Sequence, residues 1–395
     1  MHARAARSHD DAVAAVARTL WERVRWTVTT TLVAGGAFSM GIVALWTASF
    51  VAHSSLAATA DRWDGSWYYR ISQLGYVSAL PRTASQVAAL RPAFFPGLPL
   101  VERAVHAAVG GPPAATILLV GAAGLVASCL LVRAFVALVF GEEAAWRATV
   151  LFAFFPGAYV FVFGYSELLE IPLAVLALYA LRRRWYLLAG IATAAATGTR
   201  LLGIALVASL VVAAGREMVR ARRAERPEWP HLVASALSPL IGISGLAGYM
   251  AYLHERTGSF LAFETAERVG WHNSVSVAEP FDALRAFVRQ PLGAPWVTVD
   301  AAGVVVVVAC LVFLVVGGWR RLDAEEAVYA AAVLLAWLFT SNTGAWFRFV
   351  LSAFPVVALL GARLGWRSSA VLACAGAALL GILVVLFGSA VAFSP

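Results

Sequence analysis

Residues 61–76, DRWDGSWYYRISQLGY, place two aspartates, two arginines and five aromatic rings in sixteen positions of a chain that is 61% hydrophobic and 13% charged. A carboxylate among aromatic rings at the edge of an apolar medium loses solvation, and its basicity rises. Asp64 in that setting suits a general base that takes the proton of an attacking hydroxyl in a transfer to an alcohol. Asp61 is a second carboxylate of the cluster; the alternative reading makes it a helix N-cap, with Asp64 near the third helical position. Trp63, Trp67, Ile71 and Leu74 recur at helical spacing and are expected against lipid, with Asp64 and Tyr68 on an adjoining face. Trp67 and Tyr68 thus flank the base, although rings at this level also serve as membrane anchors.

One base suffices if the leaving group departs readily, as a phosphate does once its charge is stabilised. Arg200 ends ATGTR and Arg348 lies in AWFRF. Their planar forks fit phosphate oxygens, so the pair can clamp a lipid phosphate; the alternative is a contact with water or lipid headgroups. Arg91 opens RPAFFPGLP, near the base, where Pro92, Pro96 and Pro99 break helix and shape the chain. Glu167, with Glu170 one turn on, either joins the site or favours the N-terminal end of its helix dipole. His53, His106, His254 and His272 have no metal-ligand spacing, and there is no glycine-rich phosphate loop, H-E-x-x-H motif or serine elbow. Neither a metal nor a nucleotide cofactor is expected.

These residues need a membrane scaffold. A mean hydropathy of +0.79 over 395 residues leaves too few charges to cover a water-soluble surface. The segments predict an all-α polytopic protein of about eleven transmembrane helices, near 27–50, 114–139, 146–163, 167–181, 185–198, 200–216, 231–253, 299–317, 325–340, 347–363 and 368–391. With the N-terminal segment 1–26 cytoplasmic and the first span uncleaved, RRR (182–184), REMVRARRAER (216–226), RR (320–321), Arg363 and Arg367 all fall on the cytoplasmic side. That assignment requires 94–110, with Glu102, Arg103 and His106, to lie in the interface rather than cross. The net charge of +8 then orients the chain, and no nucleic-acid site is expected. Cys129, Cys310 and Cys374 lie in apolar segments and suit core packing.

The expected organisation is a catalytic transmembrane module over 27–253 that includes an outer loop at 51–113, a second outer loop at 254–298, and C-terminal transmembrane helices over 299–395. Asp64, Glu167, Arg200 and Arg348 all fall on the outer leaflet in this path, and charge beside lipid marks function by default. The loop 254–298, with Glu264, Glu267, Arg268, Trp271 and His272, is placed to shape acceptor specificity.

Five stretches in order, RWDGSWYYRISQLGY, FFPGLPLV, GYSELLEIPLAVLAL, LAGIATAAATGTRLLGIALV and AWFRFVLSAFPVVALLGA, resemble bacterial relatives of the second GPI mannosyltransferase, the phosphatidylinositol-glycan class V family of the GT-C glycosyltransferase superfamily. The resemblance implies a plasma-membrane enzyme that moves mannose, with inversion, from a polyprenyl-phosphate-mannose donor to a lipid or glycan acceptor on the outer face. It implies Asp64 as the catalytic aspartate on an interfacial helix after the first span, and 94–110 as a second such helix. Arg200 matches the family's TR motif. Arg348 matches its RY motif, with Phe349 replacing the tyrosine, and Gly65-Ser66-Trp67 replaces the usual small residue and histidine. A lipid flippase or a non-catalytic assembly partner is the competing class. Transporters gather ionisable residues at the midplane around broken helices, whereas here they collect at one interface.

Overall fold

The computed structural model describes residues 2–226, 228–291, 295–318, 321–341 and 345–389, with the side chains of 2–21 and 295–296 outside the description; Arg320 and residues 342–344 of the TSNTGAWFR stretch also lie outside it. The helices are α1 (His2–Val51), α2 (Leu56–Ala60), α3 (Trp63–Leu74), α4 (Gly97–Val109), α5 (Pro113–Phe140), α6 (Glu142–Ala153), α7 (Glu167–Arg182), α8 (Tyr186–Thr197) and α9 (Ile204–Arg223). They continue as α10 (Trp229–Thr257), α11 (Ala262–Trp271), α12 (Glu279–Arg289), α13 (Pro295–Gly318), α14 (Ala324–Leu338), α15 (Trp346–Ser352), α16 (Pro355–Arg363) and α17 (Trp366–Ser389). Short 3₁₀ turns occupy Val87–Ala93, Pro156–Phe161 and Leu201–Gly203. The chain is all-α, as expected.

Six helices among the described residues are long and apolar enough to cross a bilayer: Glu22–Val51, Pro113–Phe140, Leu201–Arg223, Trp229–Thr257, Val297–Gly318 and Trp366–Ser389. The pair α15 and α16, bent by 74°, makes a seventh if it counts as one crossing. The other four expected spans are α6, α7, α8 and α14, of 12, 16, 12 and 15 residues. Each is shorter than the roughly 20 residues of a straight crossing. Proline explains much of this. The expected span 146–163 stops at Ala153 because Pro156 pushes Phe155 into an extended conformation (φ −65°, ψ 142°). Pro355 similarly begins a new helix after the break at Ala353.

Two ends of the bundle differ in chemistry. Glu167 opens α7 and Arg182 closes it, 15 positions later, so the two are separated by about 22 Å of helix. Arg200 precedes α9 and Arg216 lies near its far end. At the Arg182 end, Arg182 pairs with Glu326 and with Asp323 (2.8 Å), Arg216 with Glu325, and Arg184 with Glu217 (2.6 Å), around a cavity of about 230 Å³. The arginine-rich segments 182–184 and 216–226 therefore share one end, and Glu167 and Arg200 share the other.

At that other end α4 does not cross the bundle but packs beside α3 and α5. Leu100 and Val109 are exposed on it, as expected of an interfacial helix, but Glu102 is fully buried. The expected charged face of this helix therefore does not simply look to water: its inner side meets protein. The N-cap expectation for Asp61 also differs. Asp61 ends α2, and Arg62 caps α3, because the chain turns sharply through Trp63, whose φ of 56° is left-handed.

Candidate active site

Asp64 lies in the first turn of α3. Its position depends on Gly65: a Cβ there would stand 2.2 Å from the Phe163 carbonyl oxygen. Only glycine lets the start of α3 press against the backbone that leads into α7. A second close approach brings in Arg200. Gly97 N–H donates to the Gly198 carbonyl at 2.9 Å, and a Cβ at Gly97 would meet Thr199 Oγ1 at 2.2 Å. The start of α4 is thus fixed against the TGTR stretch.

Four of the expected site residues converge in a chain of alternating charge. Arg348 Nη1 donates to Asp64 Oδ2 at 3.3 Å, Arg348 Nε lies 3.5 Å from Glu167 Oε1, and Arg200 Nη1 pairs with the same Glu167 oxygen. The Glu167 side chain is fully buried and that of Arg348 is 8% exposed, whereas Asp64 keeps 29% exposure. The carboxylate that would act as base is the one that reaches solvent. Burial raises the Asp64 pKa; Arg348 opposes this, Glu167 adds to it, and Arg200 opposes it again.

Aromatic rings hold the arginines. The Arg200 guanidinium carbon lies 5.0 Å from the Phe349 ring centroid, and that of Arg348 lies 5.0 Å from Tyr165 and 5.8 Å from Phe349. Phe349 therefore gives both guanidiniums a ring face, a contact that needs no hydroxyl. Glu170, one turn into α7, is buried and accepts a hydrogen bond from Tyr329 at 3.1 Å.

The remaining expected residues take other places. Tyr68 is buried, edge-on to Phe94 at 5.2 Å, and its hydroxyl feels Asp64, Ser166 and Arg200. Trp67 stacks on Phe94 at 5.2 Å and 11°. With Ile71 also buried, the expected lipid-facing stripe of α3 turns inward, and Leu74 alone of its four members is strongly exposed. Trp63 instead donates from its indole to the Phe387 carbonyl at 3.0 Å. Arg91 donates to the Gly75 carbonyl at 3.0 Å and so secures the end of α3. Asp61 stands apart from the quartet, with Arg70 and Glu102 as its charged neighbours.

Helix α11, from the segment expected to form a second outer loop, packs against this cluster. Trp271 meets Trp67 at 5.5 Å and Phe94 at 5.3 Å, both edge-on. Glu267 on α11 feels the charges of Asp64, Arg348 and Arg200. Sequence position alone had marked Glu267, with no motif to assign it. Tyr165 escaped notice altogether, although an aromatic two positions before Glu167 was the available signal.

No protein-family model matches the sequence, and neither does any curated protein. Solved structures do match. ArnT from Cupriavidus metallidurans bound to undecaprenyl phosphate is 16% identical over 88% of this chain and 62% of its own, with a TM-score of 0.52. The Archaeoglobus fulgidus oligosaccharyltransferase in complex with Zn and sulfate is 15% identical over 90% of this chain and 53% of its own, with a TM-score of 0.46. The chain thus spans less than two thirds of the length of either. The likeness is one of architecture: the protein has the GT-C glycosyltransferase fold, and it is a multi-pass membrane protein.

Proposed function

We propose that this protein is an inverting glycosyltransferase of the outer membrane face that moves mannose from polyprenyl-phosphate-mannose to a lipid or glycan acceptor. The carrying observation is the quartet Asp64, Arg348, Glu167 and Arg200. Its formal charges sum to zero. In the proposed step the acceptor oxygen bonds to the anomeric carbon, the bond from that carbon to the phosphate oxygen breaks, and the acceptor proton passes to Asp64. The donor is a phosphodiester monoanion, and the leaving phosphomonoester gains one negative charge. Protonation of Asp64 leaves the quartet at +1 as that charge develops, beside the buried side chains of Glu167 and Arg348.

Glu167 has a positioning role in this reading. It holds both guanidiniums by Nη1 of Arg200 and Nε of Arg348, and among the described residues no hydrogen bond occupies Nη2 of either arginine, which leaves these groups for phosphate oxygens. Tyr68 and Trp67 frame the base, Arg91 supports the turn at the end of α3, and Asp61 closes α2 through its backbone N–H. The sugar, the PIG-V type of specificity and the plasma-membrane orientation with the N-terminus inside rest on the sequence resemblance and the arginine distribution. The fold likeness to a protein solved with undecaprenyl phosphate supports a polyprenyl-phosphate co-substrate. No further cofactor enters the proposed chemistry.

The test is transfer by the purified protein in lipid nanodiscs, from synthetic polyprenyl-phospho-mannose to a membrane lipid extract of its source. A mannosylated product made by wild type and lost in a folded Asp64→Asn variant supports the reading. An unimpaired Asp64→Asn variant removes Asp64 as base, and an inert wild type turns the assignment toward lipid transport or a non-catalytic partner.

A further inference from the structure

We propose that Glu267 and Trp271 form the subsite that receives the acceptor, and that it takes a polyhydroxylated ring, a carbohydrate rather than a simple alcohol or a peptide. This rests on the reading of the site as a glycosyltransferase centre and names the chemistry of its second substrate. Both residues belong to α11, whose left-handed C-cap at His272 (φ 55°, ψ 23°) turns the chain back on the helix. That turn lets Asn273 Nδ2 donate to Glu267 Oε2 at 2.6 Å. One carboxylate oxygen is thereby fixed, and Oε1 takes no bond among the described residues.

The helix is held beside α3 from two directions. Gly270 lies against Leu90, close enough that a Cβ would come within 3.1 Å of it, and Trp271 packs edge-on against Trp67 and Phe94. Beyond the turn, Ser276 N–H donates to the Phe339 carbonyl at 2.8 Å, Ser341 N–H to the Ser274 carbonyl at 3.1 Å, and Val275 bridges to Thr340. The segment is therefore a built cover rather than a loose loop. Trp271 keeps 37% exposure, so part of its indole is available beside the half-buried Glu267.

A sugar ring has two kinds of surface: apolar C–H faces that lie on an indole, and vicinal hydroxyls that donate to a carboxylate. Trp271 and Glu267 offer both. An incoming ring seated on them lies beside Asp64, whose charge reaches Glu267. The groups that face Glu267 are Asp64, Arg348, Arg200 and Asn273, with burial dominant, and its carboxyl is pushed up to about 7. Binding through the carboxylate then strengthens as pH rises through about 7.

Binding of methyl α-mannoside to the protein in nanodiscs, with no donor present, is measured from pH 6 to 8 for wild type, Glu267→Gln and Trp271→Ala. The expected result is weak binding that tightens with pH and falls tenfold or more in Glu267→Gln and Trp271→Ala. Glu267→Gln keeps the shape of the side chain, and its melting curve checks folding. Equal binding by Glu267→Gln, or no saccharide binding by wild type, overturns the subsite. Binding with the expected variant pattern alongside an absence of mannosyl transfer overturns the proposed reaction and leaves the subsite standing.

Discussion

Arg348 Nη1 lies 3.3 Å from Asp64 Oδ2, across 284 positions of sequence. This contact joins the helix after the first span to the bent pair α15 and α16, and through Glu167 it reaches α7 and Arg200. One buried carboxylate therefore sets the position of two guanidiniums, and the exposed carboxylate of the chain is left at the solvent edge.

Asp64→Asn keeps the size of the side chain and removes its basicity. Transfer is expected to fall by roughly 10²- to 10⁴-fold, the usual contribution of a positioned general base. Because burial raises the Asp64 pKa, the wild-type rate falls as pH drops through that raised value, where the base becomes protonated. A pH profile of initial rates checks this: an unchanged acid limb in a still-active Asp64→Asn would assign the limb to another group.

Arg348→Lys retains a charge and loses the fork. Two contacts to carboxylates and the ring stacking on Tyr165 and Phe349 cannot all be kept by one ammonium. A loss of about 2 kcal/mol of transition-state stabilisation, roughly thirtyfold in kcat/KM, is expected. Full activity of the lysine variant would show that point charge alone is required.

Glu167→Ala strands the buried guanidinium of Arg348 and the partly buried one of Arg200. Removing one partner of a buried ion pair costs about 3–5 kcal/mol, so the melting temperature should fall well below that of Glu167→Gln, which can still accept from both arginines. Thermal denaturation in matched detergent distinguishes the two variants, and equal stabilities would mean that Glu167 is not holding the arginines in place.

Gly65→Ala places a methyl group 2.2 Å from the Phe163 carbonyl. The helix that carries Asp64 must shift, at a cost of about 1–3 kcal/mol. Transfer should fall more steeply than stability, since Asp64 leaves Arg348 before the bundle unfolds. Activity and melting temperature measured together decide it; wild-type values in both would show that the contact relaxes freely.

Glu102 gives a pH prediction outside the site. Burial, with Asp61 beside it, pushes its carboxyl from 4.5 up to about 9, and both its oxygens lack hydrogen-bond partners among the described residues. The folded state holds the proton more tightly, so the contribution to stability is complete below pH 4.5 and is lost as pH rises toward 9. At pH 7 that loss is on the order of 3 kcal/mol. Glu102→Gln should match wild type near pH 5 and melt higher near pH 8. Parallel melting curves at the two pH values would exclude an ionisable burden at this position.

Several features of the fold were legible along the chain. Apolar length gave Pro113–Phe140 and Trp366–Ser389 almost to the residue, and arginine clusters correctly grouped 182–184 with 216–226 at one end. The interfacial helix was read from Glu102 and Arg103, but Glu102 points inward. Periodicity marks which residues share a face and not what that face meets: the stripe Trp67, Ile71 was assigned to lipid for the same reason, yet α11 and Phe94 cover it. Hydropathy counts residues regardless of the breaks between them, so the segments of the short helices α6 and α8 read as full spans.

The sequence by itself determined an all-helical membrane protein, because 61% hydrophobic residues arranged in long uncharged runs have no other solvent. It also picked out Asp64, Glu167, Arg200 and Arg348, because isolated charges beside lipid are expensive and therefore conspicuous. Only the tertiary structure decided that Glu167 lies between the two arginines, that Phe349 takes a ring role, and that Glu267 and Trp271 reach the site from α11. Those are contacts between segments far apart in the chain, fixed by close approaches such as Gly65 on Phe163 and Gly97 on Thr199, and no local pattern of residues encodes them.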